Sequence, residues 1–255
     1  GHEYNLDTMV NAIKRSLEYF SANFSPYQHR QVRIVEFPRY ERFAQSFPNT
    51  IPYSEGIGFI ARVDPDDEKD IDYPFYVTAH EVAHQWWAHQ VIGGNVQGAT
   101  MLSEALAQYS ALMVMKQEFG ANKMKRFLRY ELDRYLMGRG MERKKEVPLA
   151  LVANQPYIHY NKGSLVMYAL QDYIGEANLN RALSDYVQAV GFQQPPYTTS
   201  LELLEHIRKA TPDDLQYILA DMFETITLFD NRAVSATYSE EDDGSYEVRI
   251  QVTSK

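Results

Sequence analysis

Apolar residues recur along this chain with two different periods. Between Asn5 and Asn23, Met9, Ile13, Leu17 and Phe20 fall at helical spacing, which predicts an amphipathic helix. "VRIVEF" (Val32–Phe37) and "IGFIARV" (Ile57–Val63) alternate or cluster β-formers and predict strands, with Pro38, Pro48 and Pro52 punctuating the connection. From Pro74 onward the pattern turns helical. Pro74 suits a first helical turn, and Gly93-Gly94 stops that helix. Thr100–Phe119, closed by Gly120, and then Asn122–Met137 predict two more. Gly138–Tyr157 shows no period, and loops of that length inside a compact domain are usually functional or mobile. Four further helices are expected over Lys162–Ile174, Ala177–Val190, Ser200–Ala210 and Pro212–Thr225. The tail, Ala233–Thr253, alternates around a turn at Asp243-Gly244 and predicts a hairpin. The expected architecture is α+β, mostly α, with a small N-terminal sheet and a helical lobe in residues 1–229. The hairpin in 230–255 would begin a following β-domain.

Composition narrows the chemistry. With 255 residues, 45% hydrophobic and 23% charged, the chain can bury a sizeable core without staples. It has no cysteine, so any metal must sit on His, Asp or Glu, and redox compartment cannot be read from it. A net charge of −9 argues against nucleic acid and against a general anionic membrane surface. Arg143, Lys144 and Lys145 form the one tight basic cluster. The acidic run Asp64–Asp72 reads as a solvated loop, since it lacks the ligand spacing and glycine of an EF-hand. No signal peptide or membrane span is expected: the longest uncharged stretch, Gln85–Leu102, is interrupted by Gly93, Gly94, Asn95, Gln97 and Gly98. The opening Gly1-His2 reads as a tag scar on an excised piece, so the sequence sets no location.

One short stretch carries chemistry. "HEVAHQWW" (His80–Trp87) places two histidines four residues apart, with Glu81 directly after the first. On a helix, positions i and i+4 lie about 40° apart and roughly 6 Å along the axis, so both imidazoles can reach one ion. Zinc prefers such a nitrogen and oxygen donor set. Glu81 then sits beside the ion's open position, where it can take a proton from a water that the ion acidifies. The bland alternative is a helix with two satisfied histidines. A third ligand decides between them, and Glu104 lies 20 residues beyond His84. The glycine-rich turn at Gly93–Gly98 lets the next helix fold back. Small residues beside Glu104 (Ala107, Ala111) let the two helices approach. One zinc ion on His80, His84 and Glu104 is therefore expected.

"HEVAHQWW…SEALAQY" resembles the gluzincin metallopeptidases, most closely the aminopeptidase N family. Gln85 and Trp86 match that family's pattern, and Ser103–Ala107 matches its third-ligand segment loosely. The family usually has 18 residues between the second histidine and the glutamate. This chain has 19, the spacing of thermolysin-type members. "HYNKGSLVMYAL" is similar to the family's Tyr-x-Lys-Gly segment, which implies that Tyr160 stabilises the tetrahedral intermediate. A neutral phenol suits that task, since it donates a hydrogen bond to a developing oxyanion. "YSEGIGFI" resembles the family's exopeptidase segment, with Glu55 at the glutamate that binds the substrate's free α-amine; Ser54 and Gly56 depart from the motif.

The resemblance spans roughly Asn5–Thr225 and implies a thermolysin-like (gluzincin) catalytic domain acting on peptides. "FPRYERFAQSFPNTIPYSEGIGF" resembles a subgroup in which this domain is joined to membrane-permease segments. It implies zinc-dependent removal of N-terminal residues. Glu81 is then general base, Tyr160 the oxyanion donor and Glu55 the amine anchor. Two other readings stay open: a thermolysin-like endopeptidase, and a peptide-binding module of a membrane-associated assembly without turnover. His89 is expected to miss the metal. His159 reads as a polar loop residue. Trp86, Trp87 and Tyr109 are expected to pack helices together.

Overall fold

The structure, a computed structural model, describes residues 2–64, 66–67, 70–228 and 230–254; Pro65, Glu68 and Lys69 of the acidic run lie outside it. The chain divides into two compact units, Gly1–Thr225 and Ile226–Lys255, four residues earlier than the pattern placed the boundary.

The first unit is mostly helical. Helix α1 (Leu6–Asn23) buries Met9, Ala12, Ser16, Tyr19 and Phe20, a 3-4-3 spacing that turns one stripe inward. Strand β1 (Arg33–Phe37) pairs in parallel with β2 (Thr50–Ser54). The second strand is therefore not Ile57–Val63. There Asn5 donates to the carbonyls of Gly58 (2.6 Å) and Ala61 (2.7 Å), and the chain tightens into turns that bury Ile57 and Phe59. These turns leave no extended backbone for a ladder. On β2's other edge the segment 43–47 runs antiparallel, bridging Ala44 to Tyr53 and Phe47 to Thr50.

Helix α2 (Tyr73–Ala83) starts at Asp72, whose carboxylate accepts from the N–H of Phe75 at 3.1 Å, with Pro74 in the first turn. Nearly every residue from Pro74 to Ala83 is buried, so this helix lies inside the unit. It ends at His84, well before Gly93. The N–H groups of Gln85 and Trp86 bond three residues back, and Ala88 takes φ 151°, outside the helical region. Both indoles are buried under α1: Trp86 packs on Phe20 (5.3 Å) and Trp87 on Phe24 (5.1 Å).

The next element opens with a π-helical turn, Met101–Ala105, and continues as α3 (Leu106–Phe119), closed by Gly120 at φ 85°. Helix α4 (Met124–Met141) runs past Gly138 and Gly140, four residues beyond the expected end. A second π-turn, Tyr157–Lys162, leads into α5 (Gly163–Ile174). Helices α6 (Glu176–Val190) and α7 (Ser200–Ala210) match expectation. The latter begins with a Thr199–Glu202 capping box. Pro212–Thr225 holds only a short helix α8 (Gln216–Leu219), flanked by a 3-10 turn and a third π-turn. Among the described residues, no helix is long and apolar enough to cross a membrane.

The second unit is the expected hairpin, β3 (Arg232–Glu240) antiparallel to β4 (Tyr246–Thr253), turning at Gly244 with φ 78°.

Candidate metal centre and its cleft

Three donor atoms converge, two from the end of α2 and one from the π-turn before α3. His80 Nε2 and His84 Nε2 stand 3.0 Å apart, and Glu104 Oε2 lies 3.4 Å from each. The histidines share a face because α2 carries one through its last turn and the other at its cap. Glu104 arrives from the π-turn. A π-turn holds one residue more than an α-turn, so a separation of 19 still delivers the carboxylate. The donor chemistry fits a small divalent cation. Ligand bonds of about 2.0–2.1 Å in a tetrahedron place donors roughly 3.3 Å apart, close to the spacings here. Two facing ring nitrogens at 3.0 Å also call for a cation or proton between them. His84 Nδ1 faces the carbonyl of Trp87 at 3.0 Å, so Nδ1–H donates there and Nε2 keeps its lone pair.

Electrostatics point the same way. Burial works against charge on His84, but Glu104 prevails and raises its imidazole to about 9. Burial likewise opposes the Glu104 carboxylate, and the two histidines outweigh it, holding it well below the usual range. The cluster stabilises positive charge where the donors meet.

Glu81, 5% exposed, faces the same cavities. Burial pushes its carboxyl above the usual range, partly offset by His80 and His84. Tyr160 stands on the π-turn Tyr157–Lys162, with its ring 5.8 Å from that of His80. Burial and the neighbouring Glu104 carboxylate raise its phenol far above the ordinary value, so it stays protonated and can donate. His80, Glu81, His84, Glu104 and Tyr160 are thus one constellation.

Glu55 is not brought into it. Its carboxylate accepts from the N–H of Arg39 at 3.1 Å, lies 3.4 Å from His2 Nδ1, and lines neither cavity at His80. The cavity at His84 and Glu104 is lined instead by Ala44, Gln45 and Ser46. Gln85 fixes that segment: its amide donates to Ser46 Oγ (2.6 Å) and the carbonyl of Phe47 (2.9 Å). His89 turns to the carbonyl of Ser46 at 3.2 Å and misses the metal cluster, as its helical angle implied. His159 is buried in the π-turn, not in a loop. Trp87 Nε1 donates to Ser110 Oγ at 2.9 Å, tying α2 to α3.

Two buried carboxylates escaped the sequence reading. Glu131, fully buried on α4, accepts from Tyr76 (2.8 Å), Gln108 (3.0 Å) and Asn161 (2.6 Å). Glu146 accepts from Lys162 (2.5 Å) and Arg139 (2.6 Å). The two residues after Tyr160 are therefore each held by a carboxylate. No local sequence signal marks either, because every partner but Arg139 and Tyr135 is fifteen or more positions away.

Two adjoining cavities, of about 390 and 430 Å³, meet at Ala44, His80, Glu81 and Tyr160. The cleft has room on both sides of three candidate metal donors, a carboxylate and a phenol, a grouping suited to metal-assisted hydrolysis. The family model described as "Peptidase family M1 domain" matches residues 4–223, and the chain belongs to that family. "Probable aminopeptidase 1" of Saccharolobus solfataricus is 23% identical over 223 residues, 83% of this chain and 27% of that protein. "Leucyl aminopeptidase" of the same organism is 24% identical over 220 residues, covering 82% and 27%. The chain thus spans about a quarter of the length of these curated relatives. The crystal structure of an M1 zinc metallopeptidase from Deinococcus radiodurans superposes with a TM-score of 0.62 at 20% identity, covering 85% of this chain and 44% of that one.

Proposed function

We propose that this chain is the catalytic domain of a zinc-dependent aminopeptidase, thermolysin-like in fold. The observation that carries the reading is the convergence of His80, His84 and Glu104 on one point, with Glu81 and Tyr160 facing the same cleft. The names of the relatives support the aminopeptidase assignment, and the donor set supports zinc.

His80, His84 and Glu104 would hold the ion. Bound zinc supplies Lewis acidity, acidifying water and polarising the scissile carbonyl. Glu81 takes the proton from the attacking water. It then returns that proton to the leaving amine. Tyr160 donates its O–H to the oxyanion of the tetrahedral intermediate. Gln85 holds the 44–46 segment in place as one wall for the peptide. Glu55 as amine anchor has no such support, since it is engaged with Arg39 and His2. In the longer protein, junction to membrane-permease segments belongs to the same proposal.

Mass spectrometry of two matched peptides tests the reading. One has a free N-terminus and the other is N-acetylated; both are incubated with zinc-loaded protein. Stepwise trimming of the free peptide alone is expected. Internal cleavage of both would replace the aminopeptidase by an endopeptidase, and two intact peptides would overturn turnover by this domain.

A further inference from the structure

The cleft that holds His80, Glu81 and Tyr160 is also lined by two arginines, Arg42 and Arg134. They come from different elements, one from the segment before β2 and the other from α4. Both act electrostatically on the phenol of Tyr73, which places them around one stretch of the wall. Among the described residues neither has a carboxylate within 4 Å, whereas Arg139 and Arg208 on the same unit each pair with a glutamate. In a chain with 34 acidic and 25 basic residues, two unpaired guanidinium groups in the functional cleft are a departure from the general balance.

Their surroundings are built for recognition. The Arg134 guanidinium stacks 4.2 Å over the ring of Tyr130, which in turn packs on Tyr73 at 6.5 Å. Stacking holds one face of the planar group, and a guanidinium carries more N–H donors than its tyrosine neighbour can engage. Phe43, Ile57 and Val77 add apolar surface to the wall, and Gln108 and Asn161 add neutral polar groups. The carboxylates that line the two cavities, Glu81 and Glu104, lie at the donor cluster, and Glu131 behind the wall accepts from Gln108 and Asn161, so neither arginine is held in an ion pair. An arginine fork matches a carboxylate geometrically better than any other common peptide group.

We propose that Arg42 and Arg134 form a carboxylate-binding subsite that selects peptides carrying an acidic group close to the scissile bond. The proposal rests on the metallopeptidase reading of the same cleft. The carboxylate has two sources: an aspartate or glutamate side chain, or the C-terminus of a short peptide.

The test uses four matched tetrapeptides. Two have neutral side chains and two carry one glutamate; within each pair one ends in a free acid and the other in an amide. Affinities are measured calorimetrically on the zinc-loaded Glu81→Gln protein, and kcat/KM on the active one. Peptides with the favoured carboxylate should bind about 3- to 10-fold tighter, the range for two partly exposed ion pairs, and the preference should shrink as salt rises. Preference that follows the glutamate identifies a side-chain subsite, and preference that follows the free acid identifies a terminal one. Arg42→Ala with Arg134→Ala should erase it while leaving zinc content unchanged. Both side chains are largely exposed, so folding should survive. Arg42→Glu should reverse it toward lysine peptides. Equal affinity for all four peptides, or a preference that survives both substitutions, would overturn the subsite while leaving the peptidase reading intact. Absence of both binding and cleavage for every peptide would overturn both.

Discussion

Gly163 and Ala105 meet where the two π-turns pack together: a Cβ on Gly163 would come within 2.5 Å of the Cβ of Ala105. Ala105 follows the candidate donor Glu104, and Gly163 lies three residues past Tyr160. The missing side chain is what lets the phenol approach the metal centre. Gly163→Ala should therefore destabilise the fold by about 1–3 kcal/mol through overpacking and lower kcat more than zinc affinity. Ala105→Gly should restore both in the double variant. Thermal melts and steady-state kinetics check this; an additive double variant would show that the contact is not the cause.

Glu81→Gln should abolish turnover with one zinc ion still bound, as read by metal analysis. Tyr160→Phe should lower kcat with little change in KM, because the hydrogen bond forms only in the transition state. Normal turnover in either variant removes that residue from the mechanism.

Glu131 offers oxygens to Tyr76, Gln108 and Asn161, all donors. In Glu131→Gln an amide N–H₂ must face at least one of them, costing about 1–3 kcal/mol. Since Asn161 adjoins Tyr160, kcat should fall as well. In a Tyr160→Phe background that loss in kcat should vanish. A loss that persists would make Glu131 structural only.

Glu146 gives a pH dependence of defined sign. Burial raises its carboxyl, but Lys162 and Arg139 outweigh that and hold it below the ordinary value of 4.5. A depressed carboxyl contributes stability that is present above its unfolded value and lost as pH falls through the folded one. Wild type should therefore be more stable than Glu146→Gln near neutrality, by about 1–3 kcal/mol. The gap should close below pH 4.5. A difference that stays constant with pH would point to packing instead of charge.

Glu55→Ala should change kcat/KM less than about threefold, since its carboxylate is spent on Arg39 and His2 and lies outside both cavities. A hundredfold rise in KM for free-amine peptides alone would return Glu55 to the role of amine anchor.

The sequence by itself paired the two candidate histidine donors: His80 and His84 are read from helical geometry alone, because neighbours four apart on a helix must share a face. Amphipathic spacing likewise located α1, α6 and α7 within one residue. Tertiary structure decided the rest. It ended α2 at Ala83, well short of Gly93, where the two following indoles are buried, and it replaced the strand at Ile57–Val63 with turns tied down by Asn5. It engaged Glu55 with the N–H of Arg39 and brought Ala44–Ser46, Arg42 and Arg134 to the cleft. Each of these depends on contacts between residues far apart in the chain, and local period carries no information about which distant polar group a side chain will meet.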